Sequence, residues 1–429
     1  MESQTKLFKG ELMEELLRNY FLSLGFYVAR GVEYKFEGNL VTDIDLFLYG
    51  RSSTLSRERI IVEIKNKKKP QAFERILVVN GLKSLLKLNG CIVATTDQKD
   101  LLHKFGNIHD THILDGAFLS KLKSNNGSNR LYEEELMDMF AKHKSHKTFP
   151  NKDWRALYQL SKSRLLSEQD FSGFNEGIYY LEYFINKSIV DVQKREEATR
   201  MIYVLISHLL LTLDYISKDI AFLDSKDREN RLLDGFNFGN LGKNGVDRII
   251  EIAGNLAQKP TGALKNELER NNNQVLKDYF SKLEIAKNLH LWAKEFELCA
   301  YNRLLISPTE LQPHLLSVIS IFLDYFLIQR TTFFNSFIVT SQVEENLEIV
   351  KETPLKKKIK DYRVLGVLKN EQTIEDLGDN LFKRNQANIS KCIEALSKVN
   401  APLDTVIYVF EKGNKVSTTL PNGTVKVFS

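Results

Sequence analysis

The stretch VTDIDLFLYGRSSTLSRERIIVEIKNKKKP, residues 41–70, contains two apolar runs that carry charged residues at alternate positions. Successive side chains of a β-strand point to opposite faces of the sheet. Asp43 and Asp45 therefore share one face of the first run, and Glu63 and Lys65 share one face of the second. If the two strands pair as a hairpin, the acids and the lysine converge on one side of the sheet.

The segments around this hairpin follow a definite order. They are a helical pattern over 10–24, β-rich segments at 26–36, 40–50 and 58–66, a helical pattern over 71–88, and an apolar run at 91–96. A further strand is expected near THILDG, residues 111–116. This order predicts a mixed α/β domain over 1–125, which ends at the polar stretch KSNNGSN.

Two further domains are predicted downstream. Residues 131–340 contain long patterns that are apolar on at least one face, as in a helical domain. In the domain over 356–429, the segments RVLGVLKN, TIEDLGDNLF and NQANISKCIEALSKV give helical patterns, and VIYVFEKGNKVSTTL alternates around Gly413-Asn414 as a hairpin does. Three helices and a β-ribbon predict a winged helix. The overall class is therefore α+β and multidomain.

Composition excludes several classes of protein. With 43% hydrophobic and 27% charged residues, the chain is typical of a soluble globular protein. The three cysteines are odd in number and far apart in the sequence, so they indicate neither a disulfide framework nor a Cys-x-x-Cys site. The longest apolar runs are interrupted by His208 or Asp324, which predicts buried helices, no membrane span and a cytoplasmic location. We find no serine nucleophile elbow and no dinucleotide or phosphate-binding glycine loop.

The charged cluster at 43–65 points to metal-assisted hydrolysis. An unpaired carboxylate on a covered sheet is costly, so such a cluster normally needs a cation. Asp45 and Glu63 would supply the oxygen ligands that Mg²⁺ or Mn²⁺ prefers. Lys65 would orient the attacking water and offset charge in the transition state, which is what cleavage of a phosphodiester requires.

The segments TDIDLFLYG and VEIKNKK, in their order of helix, strands, helix and strand, resemble the PD-(D/E)XK nuclease superfamily. The resemblance implies a restriction-endonuclease-like α/β/α core for the N-terminal domain. It also implies catalytic roles for Asp45, Glu63 and Lys65, and a metal site formed by Asp45, Glu63 and Ile64. Members often carry a further acid on the first helix, and here Glu14 has the better spacing.

One departure from the family pattern and two alternatives remain open. Ile44, rather than proline, precedes Asp45. Asp43 lies on the same face as Asp45 and could be the ligand instead, although Asp45 is favoured. The hairpin could also be an ordinary sheet edge, with Asp43 and Glu63 in water and Lys65 in a surface ion pair.

Nucleic-acid contacts are predicted at two places. Near the hairpin they are Lys67, Lys68, Lys69 and Gln71, although a solvated turn explains the lysines equally well and solvation of the helix surface is favoured for Gln71, Glu74 and Arg75. In the winged helix, the residues predicted to face DNA are Asn385, Gln386, Asn388, Ser390, Lys391 and Lys415. A protein-interaction role for the winged helix is the alternative.

The functional hypothesis is a Mg²⁺- or Mn²⁺-dependent endonuclease that acts on DNA, in restriction or anti-phage defence. Because cutting both strands requires two sites, a homodimer or a complex with another defence protein is expected. One alternative is a non-catalytic DNA-binding regulator or scaffold that uses the winged helix. Another is an RNA-directed nuclease that uses the same acids.

Overall fold

The computed structural model describes two compact units, Met1–Arg330 and Thr331–Ser429. The described residues are 7–66, 71–122, 129–144, 149, 153–257 and 273–337, and the backbone of 363–368, 407–412, 415–419 and 425–428. The predicted ranges 1–125 and 131–340 lie almost entirely in the first unit. The predicted mixed α/β class is confirmed at this level.

The first unit begins with a five-stranded mixed sheet of order β1-β2-β3-β4-β5. Strands β1 to β3 are antiparallel, whereas β3, β4 and β5 run parallel. The predicted order of helix, three strands, helix and strand is confirmed. The elements are α1 Lys9–Ser23, β1 Tyr27–Phe36, β2 Asn39–Arg51, β3 Arg57–Lys65, α2 Ala72–Leu85, β4 Gly90–Thr95, α3 Asp100–Ile108, β5 His112–Leu114 and α4 Gly116–Leu119.

Alternation along the central strands assigns each side chain to a face. Leu46 and Leu48 of β2, with Val62 and Ile64 of β3, join Leu17 of α1 in one buried cluster. The intervening residues of both strands therefore point to the face opposite α1. Asp45, Glu63 and Lys65 lie on that second face.

The remainder of the first unit is helical, as predicted. Its helices are α5 Glu133–Ala141, α6 Trp154–Ser167, α7 Phe171–Val190, α8 Arg195–Ile220, α9 Ser225–Phe238, α10 Gly242–Ala257, α11 Asn273–Phe280, α12 Leu283–Ala286, α13 Leu289–Tyr301 and α14 Pro313–Tyr325. Among the described helices, one stretch, Val192–Ile220, is long and apolar enough to cross a membrane, but 89% of its most apolar window is buried inside the unit. Its apolar character is explained by this burial.

A buried ion cluster joins the sheet to α8. Asp214 of α8 is fully buried and accepts a hydrogen bond from the Tyr49 hydroxyl at 2.6 Å. Its carboxylate also pairs with Arg51 at 2.8 Å and with Arg57 at 2.5 Å. Because β2 and β3 supply these partners, the N-terminal sheet and the helices share one interior.

The second unit is described as a four-stranded antiparallel sheet, with β6 Arg363–Leu368, β7 Ile407–Lys412, β8 Lys415–Thr419 and β9 Val425–Phe428. The predicted hairpin around Gly413-Asn414 is confirmed as β7 and β8. The predicted helix over RVLGVLKN is wrong, because its first six residues form β6 and pair with β7. A short apolar run does not distinguish a strand from a helix by period alone, so the pairing partner decides. The other two helical patterns lie outside the described residues.

Candidate active site at the β2–β3 junction

Asp45 lies where the β2–β3 ladder ends. The last paired residues of these strands are Leu46 and Val62, one position away from Asp45 and Glu63. Beyond this pair, the Asp45 carboxylate accepts a hydrogen bond from the Ile64 N–H at 2.5 Å. A side-chain oxygen therefore takes the place of the main-chain partner, which fixes the carboxylate between the two strands.

Glu63 and Lys65 continue the same face of β3. The Lys65 ammonium lies 2.7 Å from a Glu63 carboxylate oxygen, and the Arg75 guanidinium of α2 lies 3.7 Å from the same oxygen. The Glu63 side chain is 12% exposed and that of Lys65 is 21% exposed, so both reach solvent from a largely covered position. The predicted convergence of Asp45, Glu63 and Lys65 on one face is present.

The two acids interact electrostatically. Burial and the nearby Glu63 charge together raise the pKa of Asp45 to about 7, with a smaller contribution from Glu14. The Ile64 N–H and the Lys65 charge lower the pKa, but they only partly offset these effects. A cation placed between Asp45 and Glu63 would remove the main electrostatic cost of this pair.

Ile64 can contribute only its main-chain carbonyl to a metal. The Thr96 N–H donates to the Lys65 carbonyl, so the main chain of Lys65 faces β4. The N–H and C=O of one strand residue point to the same side, and this side alternates along the strand. The Ile64 carbonyl therefore points toward β2, the side on which Asp45 lies.

These oxygens fit a hard divalent cation. Within the residues that the structure describes, no three His, Cys, Asp or Glu side chains form a metal cage. Mg²⁺ needs no such cage, since it is usually held by one or two carboxylates and keeps several waters. Asp45, Glu63 and the Ile64 carbonyl are a suitable set of this kind.

Glu14 of α1 is within electrostatic range of Asp45 but has a strong partner of its own. Its carboxylate accepts a hydrogen bond from the buried Arg30 of β1 at 2.9 Å. Arg30 also pairs with Glu134 of α5. The charge of Glu14 reaches Asp45, while its position is set by this ion pair.

The structure distinguishes Asp43 from Asp45. Asp43 is exposed and lies opposite Glu33 of β1, whose carboxylate pairs with Lys35. Asp45 is largely buried and bonded to Ile64. The geometry favours Asp45, in line with the preference from sequence.

The predicted nucleic-acid residues are only partly described. Gln71 is exposed at the start of α2, with a left-handed backbone conformation at φ 49°. The backbone of Lys415 begins β8. The others lie outside the described residues, and they are Lys67, Lys68, Lys69, Asn385, Gln386, Asn388, Ser390 and Lys391.

Sequence reasoning missed one contact within the site and one contact that supports the neighbouring strand β1. The sequence favours solvation for Arg75, but its guanidinium lies near Glu63.

Lys162 of α6 is buried and donates to the carbonyls of Arg30 and Gly31, at 2.7 and 2.9 Å. The β1–β2 register places Gly31 across from Asp45. Arg75 lies one turn into the helix that follows the Glu-x-Lys strand, and this position could have indicated its contact with Glu63. No local sequence pattern indicates the contacts of Lys162.

Ionisation of Asp45 is expected to destabilise the metal-free fold. Its pKa of about 7 in the folded state lies above the ordinary value of 3.8. At pH values between these two, the folded state therefore binds more protons than the unfolded state. The free energy of unfolding should therefore fall as pH rises, by about 2 kcal/mol from pH 5 to pH 6.5 relative to Asp45→Asn. Urea denaturation of both proteins in EDTA measures this difference. Parallel pH profiles would contradict it, whereas added Mg²⁺ should restabilise only the wild type.

Comparison of the chain with protein-family models, curated proteins and solved structures found no match.

Proposed function

We propose that this protein is a cytoplasmic, metal-dependent nuclease that hydrolyses phosphodiester bonds of DNA. The observation that carries the proposal is the convergence of Asp45, Glu63 and Lys65 at the end of the β2–β3 ladder. The element order of the sheet domain supports a restriction-endonuclease-like core. The setting in restriction or anti-phage defence rests on analogy.

The charge of each residue determines its proposed role. Asp45, Glu63 and the Ile64 carbonyl would hold Mg²⁺ or Mn²⁺. The cation, when bound, would polarise a phosphoryl oxygen and lower the pKa of the attacking water. Lys65 lies within ion-pair distance of Glu63, so its ammonium can orient that water and stabilise negative charge on the phosphoryl group. We retain Glu14 as a supporting acid, because its charge reaches Asp45.

The second unit would hold the nucleic acid. Its antiparallel sheet with the β7–β8 hairpin supports the winged-helix proposal. The loop lysines at 67–69 and the predicted recognition residues from Asn385 to Lys391 would add phosphate and base contacts. A winged helix that contacts DNA would also suit the alternative of a non-catalytic regulator or scaffold, so cleavage must be measured separately from binding.

Lys65→Ala separates these functions. We expect it to reduce Mg²⁺- or Mn²⁺-dependent cleavage of plasmid by about 100-fold, because one charged group that stabilises the transition state is lost. Binding of a DNA duplex in EDTA should stay within about twofold, since most of the affinity comes from other phosphate contacts. Gel analysis of cleavage and fluorescence anisotropy of binding provide the two measurements.

A second variant, Glu63→Gln, and a comparison of DNA with RNA complete the test of the nuclease proposal. Glu63→Gln should abolish the metal response while Glu74→Gln, an exposed acid on α2, keeps it. DNA and RNA of the same sequence are offered side by side. Cleavage of RNA alone would replace the DNA assignment, and a wild type that binds DNA but cleaves neither substrate in Mg²⁺ or Mn²⁺ would reject the nuclease proposal in favour of the regulator.

A further inference from the structure

Asp45 occupies a gap in the strand pairing on both sides of β2. On the side of β1, the paired residues of β2 reach Leu46 and resume at Ile44. On the side of β3, they end at Leu46. Across this second gap, the Asp45 carboxylate accepts the hydrogen bond from the Ile64 N–H. The direction of the carboxylate therefore depends on the backbone around the gap.

Gly31 lies opposite this gap on β1, and its backbone is not extended. Its φ of 60° lies in the left-handed region, which glycine adopts without steric cost. A Cβ atom added to Gly31 would meet nothing within 4 Å, so crowding by neighbours does not require glycine there. The backbone conformation requires it, and this conformation departs from the regular antiparallel strand at the residue across from Asp45.

A buried lysine holds this backbone conformation. The Lys162 ammonium donates to the Arg30 carbonyl at 2.7 Å and to the Gly31 carbonyl at 2.9 Å. Successive carbonyls of an extended strand point to opposite sides, so one ammonium can bond to both only where the backbone turns between them. The Lys162 side chain is 2% exposed, and the Glu133 carboxylate of α5 neutralises its charge at 2.5 Å. The bond from Lys162 to the Gly31 carbonyl accounts for the skipped pair with Asp45.

Buried charges on α1 and α5 hold the same part of β1. The Arg30 side chain is 3% exposed, and its guanidinium bonds to the Glu14 carboxylate of α1 at 2.9 Å. The same guanidinium pairs with Glu134 of α5. The backbone at 30–31 is therefore fixed through the Arg30 side chain as well as through the two carbonyls.

We propose that Lys162 is a positioning residue for the candidate metal site. By holding the Gly31 carbonyl, it keeps the β1 ladder open at Asp45, and the Asp45 carboxylate is thereby directed toward the Ile64 N–H of β3. The helical part of the first unit thus helps to form the site. The effect on metal binding rests on the proposed nuclease function, whereas the effect on the hydrogen bond to Ile64 does not.

Two variants of the full chain separate the carbonyl contacts of Lys162 from its ion pair. Glu133→Gln removes the ion pair but leaves the Lys162 side chain on the two carbonyls. The double variant Lys162→Met with Glu133→Gln removes these contacts as well, and it leaves no buried carboxylate without its partner. Because the two proteins differ only at residue 162, their comparison measures the contacts with the carbonyls.

Hydrogen exchange of the Ile64 amide, followed by NMR in EDTA, tests the positioning directly. The double variant should exchange this amide at least about 10-fold faster than Glu133→Gln, because the amide loses its acceptor. The Val62 amide belongs to the last pair of the β2–β3 ladder and should keep its rate. An unchanged rate at Ile64, or equal acceleration of both amides, would overturn the proposal.

Isothermal titration with Mn²⁺ measures the consequence for the metal. The dissociation constant of the double variant should exceed that of Glu133→Gln by about 10–100-fold, the range typical for groups that orient a metal ligand. Equal affinities would overturn the role of Lys162 in the metal site. A wild type that binds no Mn²⁺ would reject the metal site itself, and the exchange of the Ile64 amide would then decide the positioning role.

Gly31→Ala and Gly38→Ala provide a matched pair of backbone variants. Both glycines have positive φ, 60° and 81°, and a Cβ atom at either position meets nothing within 4 Å. Alanine is disfavoured in both conformations for the same steric reason. Only Gly31→Ala should accelerate exchange of the Ile64 amide and weaken Mn²⁺ binding, since Gly38 lies in the turn between β1 and β2. Equal effects of the two substitutions would contradict the role of the backbone at Gly31.

Discussion

Asp45→Asn is expected to reduce DNA cleavage by about 1,000-fold, while Asp43→Asn leaves the rate within about twofold. The two acids lie on the same strand, two residues apart, and the two substitutions are chemically identical. Only Asp45 is partly buried near Glu63 and bonded to the Ile64 N–H. The exposed Asp43 has no comparable role in binding a cation.

The Asp45→Asn substitution removes charge but preserves shape. The amide side chain that it introduces still has an oxygen that can accept the Ile64 N–H, so β2 and β3 keep their spacing. The loss of cleavage should therefore occur without loss of fold, which circular dichroism and thermal unfolding check. Isothermal titration with Mn²⁺ should show weakened metal binding for Asp45→Asn alone. Equal losses of cleavage in both variants would contradict the assignment of Asp45 as the ligand.

Asp214→Ala is expected to lower the free energy of unfolding by about 3–5 kcal/mol, because it leaves buried arginine charge without its counterion. Arg57 is 1% exposed and has this carboxylate as a partner at 2.5 Å. Arg51 and the Tyr49 hydroxyl lose the same partner. Urea denaturation followed by circular dichroism measures the change.

Asp219→Ala provides the comparison for this effect. Asp219 lies on the same helix, is 71% exposed and pairs with Lys218 at 3.6 Å. A surface ion pair of this kind contributes at most about 1 kcal/mol, so the variant should resemble the wild type. If Asp214→Ala were no more destabilising than Asp219→Ala, the proposed role of the buried cluster in joining sheet and helices would be wrong.

Much of the sheet domain could be predicted from sequence. Apolar residues at period two placed Leu46 and Val62 on one face, and their neighbours Asp45 and Glu63 on the other. This rule depends only on the geometry of an extended backbone, so it needs no knowledge of the rest of the chain. The order of elements followed from the same local patterns.

Other features depended on contacts between distant parts of the chain. The helix predicted at 363–370 became strand β6, because residues 407–412 supply its hydrogen-bonding partner. The position of Arg75 near Glu63 required α2 to pack across the sheet. Asp214 finds its partners more than 150 residues earlier in the chain, and no pattern around Asp214 indicates them.

The sequence by itself determined which side chains share a face of β2 and β3, because alternation is a property of each strand alone. Tertiary structure gives Asp43 and Asp45 different environments. The difference depends on where the β2–β3 ladder ends: its last pair is Leu46 and Val62, whereas β3 goes on pairing with β4 through Lys65. At this end of the ladder, the Asp45 carboxylate is partly shielded from water and accepts a hydrogen bond from the Ile64 N–H. The Asp43 carboxylate, two residues earlier, is exposed to water.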